Sequence, residues 1–184
     1  HEMLFDAHNH AFRVLGGVPR RGIYDNMKTA VDKVGSGKAR DINQRFAAMA
    51  SHYLFEPEFC NPASGWEKGQ VEKNVRDARH RLWQQAPNFA TLDELNVWLE
   101  LRCQALWDEI KHGQLPGTVA QVWAAERACL MQPARPFDGF VEHTKRVSPT
   151  CLVNFERNRY SVPASYANRP VSLRVCAARL VVVA

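Results

Sequence analysis

The sequence predicts a mixed α/β chain in three parts: an α/β unit over residues 1–86, a helical connector over 87–131 and an all-β unit over 132–184. Three observations point to it. Short β-like segments and helix-periodic segments interleave up to residue 86. Helix-start signatures follow at Thr91 and Thr118. Beyond Phe140 apolar residues recur at every second position.

In chain order, Leu4, Phe5, Phe12 and Leu15 predict a helix over Glu2 to Leu15, ended by Gly16-Gly17, with Pro19 keeping the chain extended. Gly22-Ile23-Tyr24 is short and β-like and delivers Asp25 at its C-terminal end. Val34 to Lys38 reads as a Gly/Ser loop. Asn43 to Tyr53 has helical spacing in Phe46, Met49, Ala50 and Tyr53. Leu54-Phe55 and Phe59 predict a short strand broken near Pro57. The Asn61 to Gly65 loop then leads into a helix from about Glu67 to Gln85.

Thr91-Leu-Asp-Glu94 and Thr118-Val-Ala-Gln121 are capping-box patterns. The first opens a helix with Leu95, Trp98, Leu99, Leu106 and Trp107 on its apolar side. The second opens one running to about Met131, stopped by Pro133 and Pro136. Strands are expected at Leu152–Phe155, Arg159–Val162, Val171–Val175 and Arg179–Val183, with a turn at Glu156-Arg157-Asn158.

The composition, 46% hydrophobic and 23% charged over 184 residues, is that of a globular protein with a real core. No apolar run has the length of a membrane span, and the N-terminus does not resemble a signal peptide. Five scattered cysteines without a Cys-x-x-Cys pair read as free thiols in a reducing compartment, so a cytoplasmic location is expected. The chain begins inside a helical pattern and stops on an apolar strand, from which a piece of a longer protein is expected.

The net charge of +5 is unevenly placed: residues 132–184 carry eight basic against three acidic residues, and 87–131 three against six. A basic terminal segment beside a basic helix is the footprint of a phosphate-bearing partner, although a solvated surface has the same composition.

Asp25 at a strand end and Glu72 on a helix are carboxylates that could converge on a hard cation, since Mg²⁺ takes oxygen ligands. Unrelated surface carboxylates are the alternative. Glu67 competes with Glu72, but it falls at the helix start, where a carboxylate serves the dipole. Lys73 follows Glu72 directly, and Arg76 and Arg79 lie four and seven positions after it, on one helical face. They could hold a phosphodiester backbone, or Arg76 could simply pair with Glu72. His8-Asn9-His10 spells a nuclease-like motif, but residues two apart on a helix point to different sides and cannot share one ion. Gly35-Ser-Gly-Lys38 lacks the spacing of a nucleotide loop. Tryptophans 98, 107 and 123 fall at packing positions.

Ile23-Tyr-Asp-Asn-Met-Lys-Thr-Ala-Val31 and Phe59-Cys-Asn-Pro-Ala-Ser-Gly-Trp-Glu-Lys-Gly-Gln-Val-Glu-Lys-Asn-Val75 resemble the IstA-type transposases of bacterial insertion sequences. These belong to the retroviral-integrase-like superfamily. Gly16-Gly-Val-Pro19, Phe137-Asp-Gly-Phe-Val141, Arg146-Val-Ser-Pro149 and Arg157-Asn-Arg-Tyr-Ser-Val-Pro163 are similar to that family too.

The resemblance implies a truncated ribonuclease-H-like integrase core over 1–86, then the connector, then a small C-terminal β-barrel, possibly incomplete. It implies an Asp-Asp-Glu set of which Asp25 is the second member and Glu72 the third, the first Asp lying upstream of His1. Mg²⁺ (or Mn²⁺) is the implied cofactor, with Lys68, Lys73, Arg76 and Arg79 against DNA. Implied partners are transposon-end and target DNA, further copies in a homo-multimer, and an ATPase helper. The resemblance also admits a non-catalytic remnant that binds DNA or multimerises.

Overall fold

A computed structural model describes residues 1–35, 40–61, 73, 75–84, 87–132 and 135–184. Helix α1 (Glu2–Leu15) buries Phe5 and Phe12. It ends as expected at Gly16, where φ is 70°. Gly16 N–H donates to Arg13 O and Gly17 N–H to Phe12 O, satisfying carbonyls the last turn leaves open. Gly17 is held to glycine by proximity, because a Cβ there would lie 2.6 Å from Leu130 Cβ. That approach lets Val18 bridge Met131 in antiparallel fashion, through two 2.9 Å hydrogen bonds.

Strand β1 (Arg21–Tyr24) pairs in parallel with β4 (Glu56–Phe59), from Arg21↔Glu56 to Tyr24↔Phe59. Between them lie β2 (Val31–Val34), β3 (Arg40–Ile42) and helix α2 (Gln44–Tyr53). The expected break at Pro57 does not occur: Pro57 pairs with Gly22 inside β4. A two-stranded sheet leaves every strand with an open edge, where a missing N–H is tolerated. The β2–β3 antiparallel pair was not legible, because strands this short carry too little alternation. Val34 ends β2 instead of opening a loop, and residues 36–39 of that expected loop lie outside the described residues. Helix α2 begins where Asn43 Oδ1 accepts from Arg45 N–H and Phe46 N–H, and it buries Phe46, Met49, Ala50 and Tyr53. These side chains join Phe5, Phe12, Val18 and Phe55 in the larger core.

The connector contains α3 (Leu92–Glu109) and α4 (Val119–Glu126). Thr118 and Gln121 form the full capping box. At Thr91 only half of it forms, since Glu94 accepts from Ala90 N–H instead of Thr91 N–H. Helix α4 ends at Glu126, short of Met131, and a 3₁₀ turn (Arg127–Cys129) follows. On the expected apolar side of α3 Leu106 is buried and Leu95, Trp98, Leu99 and Trp107 are half-buried, while Leu92, Val97 and Leu101, which lie outside that side, are exposed. The tryptophans do pack, Trp107 on Trp123 at 5.5 Å and Trp98 on Phe89 at 5.4 Å. Arg13 donates two hydrogen bonds to the Glu100 carboxylate, tying α1 to α3.

Beyond the connector come β5 (Val141–Arg146), β6 (Leu152–Phe155), β7 (Asn158–Ser161), β8 (Pro170–Val175) and β9 (Leu180–Val183). The expected barrel does not form. The strands make a three-stranded antiparallel sheet, β5-β8-β9, and a separate β6–β7 hairpin. Closure needs a continuous hydrogen-bonded ladder. Here no ladder joins the two sheets. Val147 N–H to Arg169 O continues the β5–β8 pairing and Val162 N–H to Cys151 O the β6–β7 pairing, while Ser148 N–H donates to Leu152 O at the turns where the chain passes from β5 to β6. Prolines 149, 163 and 170, which donate no backbone hydrogen bond, stand in or beside these turns. Val147, Val153, Val171 and Leu173 form a second, smaller core.

The segment 135–140 leads into β5 along α1 and α2. His52 Nε2 donates to Arg135 O, Arg45 donates to Asp138 O, and the Arg45 guanidinium lies 4.4 Å from the Phe140 ring centre. Arg174 of β8 lies 4.7 Å from the same ring. The Ser172 hydroxyl, with help from Arg174, holds the Glu142 carboxyl below the usual carboxylate range.

Candidate nucleic-acid and metal site

Parallel pairing of β1 and β4 sets the geometry. Both strands end on the same side of their sheet, so Asp25, next after Tyr24, and Cys60-Asn61, next after Phe59, leave it together. Cys60 N–H donates to Tyr24 O at 2.9 Å and holds the two exits side by side. The chain therefore leaves β4 beside Asp25 at Asn61, the first residue of the expected Asn61–Gly65 loop, the rest of which lies outside the described residues. In α/β sheets the C-terminal ends of the strands are where ligands bind.

Asp25 is exposed. Its Oδ1 accepts from Asn26 N–H at 2.6 Å, and its carbonyl accepts from Met27 N–H at 2.7 Å. Asn26 Nδ2 donates to Cys60 O at 3.0 Å, and Arg40 donates both to Asn26 Oδ1 and to Cys60 O. The turn carrying Asp25 is thereby latched to the end of β4 by side chains from two elements. Of the groups at this turn, the exposed Asp25 carboxylate is the donor that suits a hard, partly hydrated cation, the oxygens of Asn26 and Cys60 already accepting from Arg40.

Lys68 and Glu72 lie outside the described residues. Lys73, Arg76 and Arg79 are helical and exposed. Arg76 Nε lies 4.0 Å from Asp77 Oδ1, a loose surface pair. Arg79 opens a π-helical turn (Arg79–Trp83) that buries Leu82 and leaves His80 and Arg81 exposed. Such turns interrupt the regular helical period and are frequent at functional sites. The even 3.6-residue spacing expected of this helix thus stops at Arg79. Among the described residues no three His, Cys, Asp or Glu side chains converge as a metal cage.

The His8-Asn9-His10 motif is absorbed by the fold. His10 faces Asp6 at 3.5 Å, and Asn9 bonds to Tyr53 and Phe137. His8 is half-buried, with Nδ1 2.7 Å from Leu4 O and Nε2 2.8 Å from the Tyr24 hydroxyl. Its ring stacks on Phe55 at 6.2 Å and 6°. Burial lowers the His8 pKa, with the Leu4 bond acting the other way, and burial pushes Tyr24 up to about 12. Both groups are neutral near pH 7. Sequence reasoning missed this pair, since nothing local announces that a helix residue will meet the strand before Asp25.

On the C-terminal unit, β7 is exposed along its length and carries Arg159, with Arg157 at the preceding turn. No helix among the described residues is long and apolar enough to cross a membrane.

Comparison with known proteins shows what the chain resembles. Residues 132–184 match the family described as Mu transposase, C-terminal domain. Over all 184 residues the chain is 71% identical to a transposase of Aminobacter aminovorans, covering 36% of that protein. It is 66% identical, again over 36% of the relative, to the transposase for insertion sequences IS1326/IS1353 of Pseudomonas aeruginosa. The transposase for insertion sequence element IS21 of the same organism is 32% identical over 166 residues, 90% of this chain and 42% of the relative. The chain is similar to these insertion-sequence transposases, and it spans little more than a third of the length of the Aminobacter aminovorans and IS1326/IS1353 relatives.

Proposed function

We propose that the chain is part of a DNA transposase that cuts an insertion sequence at its ends and joins the freed strands to target DNA. The observation that carries the reading is the position of Asp25, exposed at the shared C-terminal end of β1 and β4, where the 61–72 segment also begins. In this reading the first 86 residues are part of a ribonuclease-H-like core, and Asp25 and Glu72 hold Mg²⁺ or Mn²⁺. Held there, such an ion would supply activation of the attacking oxygen and stabilisation of the leaving one in phosphodiester chemistry.

The chain's own residues bind and orient. Lys68, Lys73, Arg76 and Arg79 hold the phosphate backbone of the transposon end, with arginine forks matching phosphate oxygens. The Asn26–Arg40 latch keeps the Asp25 turn in place. Assembly into a homo-multimer and help from an ATPase belong to the same reading. The test is Glu72→Gln, with Asp25→Asn beside it, in the full-length protein. Strand transfer is expected to fall to background in both, and a near wild-type rate in either removes that residue from the site.

A non-catalytic reading is favoured by exposed β7, with Arg157 and Arg159 beside no acidic side chain but Glu156 in the hairpin. It predicts DNA binding by the chain that needs no metal and weakens steeply with salt.

A further inference from the structure

We propose that His8 is a positioning residue for the Asp25 carboxylate, acting through the hydroxyl of Tyr24. The inference rests on Asp25 being a metal ligand as read above; the geometry behind it does not.

The hydrogen-bond roles follow from elementary chemistry. Leu4 O can only accept, so His8 Nδ1 carries the proton and donates to it. His8 Nε2 is then an acceptor, and the Tyr24 hydroxyl donates to it at 2.8 Å. Ring rotation is blocked on several sides, by Phe55 and Tyr24 in stacked contact and by Phe12 and Phe46 edge-on. The acceptor is therefore held in one place, with Phe12, Phe46 and Phe55 fixing the ring independently of Tyr24.

Tyr24 is confined in turn. Its ring meets Phe46 edge-on at 5.0 Å and touches Phe55 and Phe59. It folds back over Gly22, where a Cβ would lie 2.7 Å from the ring. Its carbonyl accepts from Cys60 N–H. With the side chain fixed by His8 and the carbonyl fixed by Cys60, the backbone enters Asp25 along one direction. The Asn26 N–H bond to Asp25 Oδ1 then orients the carboxylate. Partners bonded directly to a metal ligand change metal affinity by about 10–100-fold when removed, and an effect relayed through the backbone belongs at the lower end of that range.

The test uses His8→Phe, which keeps an aromatic ring and removes the acceptor, and Tyr24→Phe, which removes the donor alone. His8→Gln, which restores an acceptor, and the double variant complete the set. In the metal-free 184-residue chain, the Asn26 amide resonance reports the bond to Asp25 and should move in both single Phe variants. In the full-length protein the Mg²⁺ concentration for half-maximal strand transfer should rise about tenfold in each. The double variant should be no worse than either single one, because both delete the same bond. His8→Gln should recover part of the loss.

If the Asn26 resonance and the Mg²⁺ requirement stay unchanged while stability falls, His8 is a packing residue and the proposal is wrong. Full additivity in the double variant overturns it too. Asp25→Asn separates the two levels: if that variant keeps activity, the metal-ligand reading and this inference fall together. If it abolishes activity while His8→Phe leaves the Mg²⁺ requirement and the Asn26 resonance unmoved, only the inference falls.

Discussion

The Tyr53 hydroxyl donates to Asn9 Oδ1 over 2.6 Å, and both oxygens accept from Phe137 N–H, at 3.0 Å for Tyr53 and 3.1 Å for Asn9. Asn9 Nδ2 donates back to Phe137 O at 3.0 Å. One asparagine on α1 thus pairs with the peptide of the segment leading into β5, as a neighbouring strand would.

Asn9→Ala leaves the Phe137 carbonyl without this donor in a part-buried setting, so a loss of about 1–3 kcal/mol is expected. Asn9→Asp should cost more, because a carboxylate oxygen would then face the carbonyl. Urea unfolding of the 184-residue chain measures both. Equal stability of wild type and Asn9→Asp would remove the pairing from the account.

Phe5 is fully buried and packs edge-on against Phe137, with ring centres 5.4 Å apart. Phe5→Ala should cost about 3–5 kcal/mol. Gly139→Ala tests the same contact from the other side, since its Cβ would overlap Phe5 Cβ. A cost of about 1–3 kcal/mol is expected there. Adding Phe5→Ala should relieve the Gly139→Ala penalty, and unfolding midpoints of the pair read that coupling.

The Arg45 guanidinium lies 4.4 Å from the Phe140 ring centre and also bonds Asp138 O. Arg45→Lys keeps the charge but loses the flat face and the fork, so it should not substitute. A fall of roughly 0.5–2 kcal/mol is expected from the lost cation–π contact. Thermal melts of Arg45→Lys and Phe140→Leu, singly and together, should show less than additive losses.

Burial lowers the His8 pKa below its ordinary value of 6.5. A base with a depressed folded pKa binds more protons when unfolded, so its part in stability is full above 6.5 and is lost as pH falls towards the folded pKa. The melting temperature should therefore drop on acidification below about 6.5. In His8→Phe the slope over that window should be shallower. An identical slope would mean that His8 does not titrate with unfolding.

Much of the fold was legible because its signals are local. The Gly16-Gly17 stop, the Asn43-capped helix, the Thr118 capping box and the alternation of Val171–Val175 each depend on a few neighbouring residues. Features set by distant partners were not legible. On α3 the side carrying Leu95, Trp98, Leu99, Leu106 and Trp107 follows from the period, yet only Leu106 is fully buried, because helical period says which residues share a face and not what covers it. Pro57 looks like a strand breaker only until its strand is known to lie at an edge. Lys73, Arg76 and Arg79 were recognisable as exposed helical cations, but the π turn that begins at Arg79 left no mark in the apolar pattern.

By itself the sequence determined the resemblance to insertion-sequence transposases, carried by contiguous motifs such as Tyr24-Asp25-Asn26, and the starts and stops of most elements. The tertiary structure alone decided that β1 and β4 run parallel and bring Asp25 and Cys60 to one end of a sheet. It also decided that His8 meets Tyr24, and that β5–β9 remain two open sheets. The reason is physical: capping and alternation are written within a turn or two of chain. Strand pairing, ring stacking and sheet closure are chosen by which distant surfaces meet, and no short stretch of sequence encodes that choice.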